Sequence, residues 1–134
     1  MSSLKTNNIS NLNGTLTIPT DTAIDLIDNG TAKAWVNFNG TGTVAIRSAY
    51  NVTSITDNAA TDYTINFTNA FSDVNYVISG STTGPAASTY PLPVAAKRQT
   101  DMLTGSCRVW ALTMASGGLG ALTDGEVVNV VIYR

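Results

Sequence analysis

The stretch KAWVNFNGTGTVAIRSAYNVTSITD, residues 33–57, decides the fold. Apolar and polar residues alternate, pause at two glycines, and alternate again. In 33–39, Ala34, Val36 and Phe38 share one face, and Trp35 and Asn37 the other. A period of two belongs to a half-buried strand. In 43–56 the same reading puts Val44, Ile46, Tyr50 and Val52 on one face, opposite Thr43, Arg47, Asn51 and Thr53. The NGTG between them tolerates positive φ and predicts a hairpin turn.

The alternation continues toward the C-terminus. DYTINFTN (62–69) sets Tyr63, Ile65 and Phe67 in register, and NYVISGS (75–81) follows. PVAAKRQ (93–99) is a weaker strand, SCRVWALTM (106–114) a stronger one, and EVVNVVIYR (126–134) closes the chain. The breaks TDNAATD, SGSTTGPAASTYP, MLTG and ASGGLGALTDG are rich in turn residues. Seven or eight short strands and no convincing helix predict an all-β domain over residues 31–134, an antiparallel β-sandwich or small barrel. The last strand is apolar on both faces, with Val127, Val131 and Tyr133 on one and Val128, Val130 and Ile132 on the other. Exposed at an edge it would aggregate. It is therefore expected to be a central strand, or an edge covered by another subunit through Val127, Val131 and Tyr133.

Residues 1–30 read differently. Leu4, Ile9, Leu12, Leu16 and Ile18 are too irregular for an amphipathic helix, so an extended N-terminal attachment segment with a short strand near Thr15–Ile18 is expected. In DTAIDLIDNG, Asp21 suits a helix cap and Gly30 a helix end, which leaves one helical turn or a strand open. Extended, such a segment reaches up to roughly 100 Å.

The chain has 134 residues, enough for one domain with a core. Charged residues are 12%, about half the roughly 25% usual for soluble domains, and about a third of the chain is Ser, Thr or Asn. The net charge of −2 offers no basic footprint for nucleic acid. A surface of neutral hydroxyls and amides repels neighbouring copies weakly. MSSLKTNNIS has no apolar segment of the secretory type, and no apolar run approaches the roughly 20 residues of a membrane span. Synthesis in a cytosol is expected.

Chemistry is sparse. There is no histidine, which removes the commonest general base and metal ligand. The one cysteine, Cys107, lies within a strand pattern and reads as a buried thiol rather than a nucleophile. A glycosidase needs two positioned carboxylates. Glu126 is the sole glutamate, and Asp57, Asp62, Asp73 and Asp124 read first as turn and cap residues. Asp21, Asp25 and Asp28 do not match the spacing of a calcium loop. The Asn-x-Ser/Thr triplets at Asn8, Asn13, Asn29, Asn39, Asn51 and Asn66 read as turn chemistry. No catalytic residue, cofactor or metal is therefore assigned.

Sugar binding is the chemistry this composition suits. Aromatic faces stack on sugar rings, and neutral amides and hydroxyls bond their edges. Trp35 is one candidate; its alternative is packing against the leader or a neighbouring subunit. STTGPAASTYPL (81–92) reads as a long loop stiffened by Pro85 and Pro91, in which Ser88, Thr89 and Tyr90 are candidate receptor or glycan contacts. The alternative there is a tolerated surface insertion.

AKAWVNFNGTGTVAIRSAYNVTSITDN, DYTINFTNAFSDVNYVISGS and the closing VVNVVIYR together resemble a module found at the C-terminal end of bacteriophage tail-fibre and related virion proteins. The resemblance runs from about Thr31 to Arg134. It implies a non-enzymatic virion surface protein, usually a homotrimer, assembled in the host bacterial cytoplasm. Its β-rich head would be touched by other proteins or by host glycans. It implies no catalytic residues. The expected role is host attachment, with residues 1–30 joining another virion protein. The rival role is capsid decoration, and a carbohydrate-active enzyme is a third class.

Overall fold

The computed structural model describes residues 8–10, 17–19, 30–84, 89–115 and 122–134. The chain divides into two units, residues 1–31 and 32–134. In the first, β1 (Asn8–Ser10) pairs antiparallel with β2 (Thr17–Pro19), with Ile9 opposite Ile18. The expected strand near Thr15–Ile18 thus lies slightly later and has a partner that the irregular apolar spacing did not reveal. Gly30 is helical; Asp21, Asp25 and Asp28 lie outside the described residues.

The second unit is all-β, as the alternation predicted. Its eight strands are β3 (Ala34–Asn39), β4 (Ala45–Tyr50), β5 (Val52–Ala59), β6 (Asp62–Phe67), β7 (Val77–Thr83), β8 (Thr89–Ala96), β9 (Ser106–Ala115) and β10 (Val127–Tyr133). Every neighbouring pair is antiparallel, in the order β4-β3-β10-β7-β8-β9-β6-β5. The strands β10-β7-β8-β9 form a Greek key, since β10 returns beside the first strand of a meander. The sheet nearly closes into a barrel. At one corner β7 meets β8 at Ser81 and Pro93. Two prolines in β8, Pro91 and Pro93, lack the N–H a full ladder needs, and the β8–β9 register shifts between Pro91 and Val94. At the opposite corner β4 runs into β5 through Asn51, whose φ is +55°. The short amide side chain tolerates that left-handed turn. It also pins the corner, with Asn51 Nδ2 donating to the carbonyls of Lys33 (3.1 Å) and Asn69 (3.2 Å), and Oδ1 accepting from Asn69 N–H at 2.8 Å.

The core is where period two placed it. Ala34, Val36 and Phe38 of β3 face Tyr63, Ile65 and Phe67 of β6, with Cys107, Val109 and Ala111 of β9 and Val128, Val130 and Ile132 of β10. Phe38 and Tyr63 meet edge to face, with ring centroids 5.1 Å apart. Phe67, Phe71 and Tyr76 close one end as a second aromatic group. The buried hydroxyls of the core are bonded: Thr82 donates to the Leu112 carbonyl at 2.8 Å, and Thr113 bonds Thr123.

Three expectations are corrected. The 43–56 stretch is two strands, because Asn51 turns the chain from one part of the sheet to the other. Within β4, Ser48 pairs with Asn37 but Ile46 pairs with Phe38, so Arg47 is an extra bulged residue. The bulge reverses the alternation, and Tyr50 faces outward beside Trp35 instead of sharing a face with Ile46. The supposed loop 81–92 is mostly strand. β7 runs to Thr83 and β8 starts at Thr89, with Tyr90 paired to Met114. The last strand, by contrast, is central as the first of the two expected alternatives had it: β10 lies between β3 and β7, so its doubly apolar pattern is accounted for within one chain.

Candidate functional site

Two outward faces and the loop ends could carry function. Their chemistry differs.

Apart from the exposed Trp110, the outward face of β5, β6 and β9 is largely polar, and its β5–β6 side chains bond one another. Asn66 bonds Ser54 and Thr56, and Asn58 bonds Thr64 at 2.9 Å. At one end of that face Asp62, only 4% exposed, accepts a bidentate pair from Arg108 at 2.7 and 2.8 Å and a bond from Lys97. The Arg108 guanidinium, then Lys97, outweigh the desolvation of the carboxyl and hold it down at about 2. Lys97 also sits 5.5 Å from the centroid of the exposed Trp110 ring. Asp62 is thus a buried ion-pair acceptor opening a strand, not the turn or cap residue expected. Asp57 likewise lies within β5, opposite Tyr63. Their turn-like neighbours in TDNAATD masked both, and the sequence gives no sign of which cations answer Asp62.

The end formed by the β3–β4, β5–β6 and β9–β10 connections is a structural knot. Thr61 has φ +65°, and its N–H donates to Asp124 Oδ1 at 2.7 Å. Tyr63 OH donates to the same oxygen at 2.7 Å and toward the Gly40 carbonyl at 3.2 Å. Burial, then the Asp124 hydrogen bond, pushes the phenol pKa upward. A Cβ on Gly40 would lie 2.5 Å from that phenol oxygen, so the first glycine of NGTG serves close packing, while Gly42 takes the positive φ of +63°. Asp73 acts in a turn as read, whereas Asp124 caps the distant Thr61 N–H from another connection. Asp73 accepts from Asn75 N–H at 2.8 Å and from Arg134 at 2.7 Å. Cys107 is fully buried, and burial pushes its thiol up to about 12. Among the described residues no group of three or more His, Cys, Asp or Glu is placed to hold a metal. No helix among them is long and apolar enough to cross a membrane.

The outward face of β4, β3, β10 and β7 is the distinctive one. Strand register lays it out in rows. One row runs Tyr50–Trp35–Val131–Ser79, and the next Ser48–Asn37–Asn129–Ser81. Trp35 is 38% exposed, Tyr50 57%, Tyr133 43% and Val77 66%; Val127 and Val131 are half-buried. Asn37 Nδ2 donates to Asn129 Oδ1 at 2.6 Å, and Asn129 Nδ2 reaches Ser81 Oγ at 3.5 Å. Over β3, β10 and β7 the surface dips into an open trough of about 550 Å³ lined by Trp35, Asn37, Asn129, Val131, Ser79 and Ser81. No charged residue lines it. Gly80 also lines it, and a Cβ there would lie 2.2 Å from the Asn129 carbonyl and 2.9 Å from the buried Val94, so the position is packed too closely for a side chain.

The structure therefore brings Trp35, Val127, Val131 and Tyr133 to one face of adjacent strands. Thr89 and Tyr90 belong to β8, and Ser88 lies outside the described residues. Asn37, Asn129, Ser79 and Ser81 were missed as site residues. The alternation of 33–39 did place Asn37 beside Trp35, but only the β3–β10–β7 pairing adds the others.

No known family model, curated protein or solved structure matches the chain.

Proposed function

We propose that this chain is a non-enzymatic surface protein of a bacteriophage particle, and that its β-domain projects outward to attach to the host. The observation that carries the reading is the outward face of β4-β3-β10-β7, where Trp35, Tyr50 and Tyr133 stand exposed among neutral amides and hydroxyls. Binding surfaces are enriched in such aromatics and depleted in charge at their centres. The particle context is supported by the resemblance of residues 31–134 to virion fibre modules, and an all-β domain accords with it. A trimer closed through Val131 would cover the trough, so this reading puts the contacts between subunits elsewhere and leaves Trp35 open.

Gold-labelled antibody against the purified chain tests the reading on intact particles of the phage that encodes it. Label at the tail supports it. Label over the capsid alone makes the protein a decoration protein, and unlabelled particles overturn the virion role.

A further inference from the structure

We propose that the trough over Trp35, Asn37 and Asn129 binds a neutral saccharide, with a sugar ring stacked on the Trp35 indole and its hydroxyls bonded along the amide row. This deepens the attachment reading, on which it rests for the biological source of the sugar. The binding itself needs no particle.

Four observations carry it. The first is size: about 550 Å³ lies within the roughly 300–1,000 Å³ of small-ligand sites and suits a short oligosaccharide. The second is the apolar side. Trp35 and Val131 are in register on neighbouring strands, which gives the C–H face of a sugar ring an aromatic wall beside an aliphatic floor. Both belong to strand interiors, so the platform is rigid before a ligand arrives, and rigidity lowers the ordering cost of binding.

The third is the polar row. The Asn37→Asn129→Ser81 chain fixes the direction of each amide. Asn37 keeps its Oδ1 as an acceptor and one amide hydrogen as a donor. Asn129 keeps one amide hydrogen, and the Ser79 and Ser81 hydroxyls can donate. Among the described residues none of these is used by another protein group. Mixed donors and acceptors match sugar hydroxyls, which do both. The fourth is charge. No ionisable side chain lines the trough, so nothing there compensates a carboxylate or phosphate, and a neutral ligand is selected by the cost of desolvating a charged one. A second copy of the chain fits less well, because it would have to bury a polar row across the centre of a concave surface.

The chain has two tryptophans, Trp35 and Trp110, on opposite outward faces, so its two indole N–H resonances report the two faces separately. The full chain is titrated by ¹H–¹⁵N NMR with gluco-, galacto-, manno- and N-acetylglucosamine tetrasaccharides, and with tetragalacturonate as the acidic comparator. At least one neutral sugar should shift the Trp35 indole and the Asn37 and Asn129 side-chain amides saturably while Trp110 stays fixed. Trp35→Ala should weaken that binding about tenfold or more, and Trp35→Phe, which keeps the packing, by less. Tetragalacturonate should bind at least about tenfold more weakly than the best neutral sugar. The proposal is overturned if no neutral sugar moves Trp35 at about 10 mM, if binding survives Trp35→Ala, or if the Trp35 shift tracks protein concentration instead of sugar. The last result would assign the face to self-association. Particle labelling and sugar titration fail independently, so either reading can fall while the other stands.

Discussion

Asn37 of β3 donates its side-chain amide to Asn129 of β10 at 2.6 Å, across residues 92 positions apart in the chain. The bond joins an early strand to the last one on the outward face, and it aligns the polar row that runs beside Trp35. It is also a cross-strand pair of the kind that stabilises sheets by a few tenths to about 1 kcal/mol. Asn129→Ala is expected to lower stability by no more than about 1 kcal/mol while releasing the Asn37 amide. Loss of the native side-chain amide signature of Asn37, with the rest of the NMR spectrum kept, is the check.

Asp62 sets an acid limit on the fold. Its carboxyl is held at about 2 in the folded chain, below its ordinary 3.8. The folded state therefore binds that proton less readily than the unfolded state. The stability this supplies is complete above about pH 4 and disappears as pH falls toward about 2. Asp62→Asn should flatten the fall in stability across that window, leaving the smaller contribution of the exposed Asp73–Arg134 pair. At neutral pH the same change strands Arg108 and Lys97 beside a neutral amide and should cost roughly 3 kcal/mol, read by urea unfolding.

Two glycines separate crowding from open space. Gly80→Ala places a Cβ against the Asn129 carbonyl and Val94, so it should destabilise by about 3 kcal/mol or prevent folding. Gly105→Ala meets nothing within 4 Å and needs no positive φ, so it should leave stability unchanged or raise it by under about 1 kcal/mol. Thermal melts of the pair check both.

Tyr63→Phe removes the phenol that bonds Asp124 and Gly40 while keeping the ring against Phe38. The expected cost is about 1–2 kcal/mol, a drop of several degrees in melting temperature.

Cys107 should be silent to thiol reagents. It is fully buried and its thiol is raised to about 12, so the reactive thiolate is scarce at neutral pH. In the native protein an aromatic disulfide reagent should react at the rate of unfolding, and fully in urea. Rapid stoichiometric reaction without denaturant would contradict this burial.

The sequence made the strands and the core legible because period two is strong wherever one face is buried. Ala34, Val36 and Phe38, or Tyr63, Ile65 and Phe67, need no partner to be recognised. What failed was parity and pairing. The bulge at Arg47 moves Tyr50 to the outside, and the Asn51 corner splits one apparent strand in two; both are single-residue events inside an unbroken polar–apolar rhythm. Pro91 and Pro93 concealed only the first half of β8, whose second half falls within the weaker strand expected at 93–99, since prolines argue against a strand unless it sits at an irregular corner. Trp35 could be singled out from the sequence. Asn129 could not, because its relevance comes from lying opposite Asn37 and Ser81, which only the strand order determines.

The outward β4-β3-β10-β7 face as the surface that touches the host is the central claim, and adsorption tests it most directly. Purified chain is added in excess to host cells before the phage that encodes it, and free phage is counted. Wild-type chain and Trp110→Ala, altered on the opposite face, should both block adsorption, while folded Trp35→Ala should not. Equal blocking by all three, or blocking by none, would contradict the account.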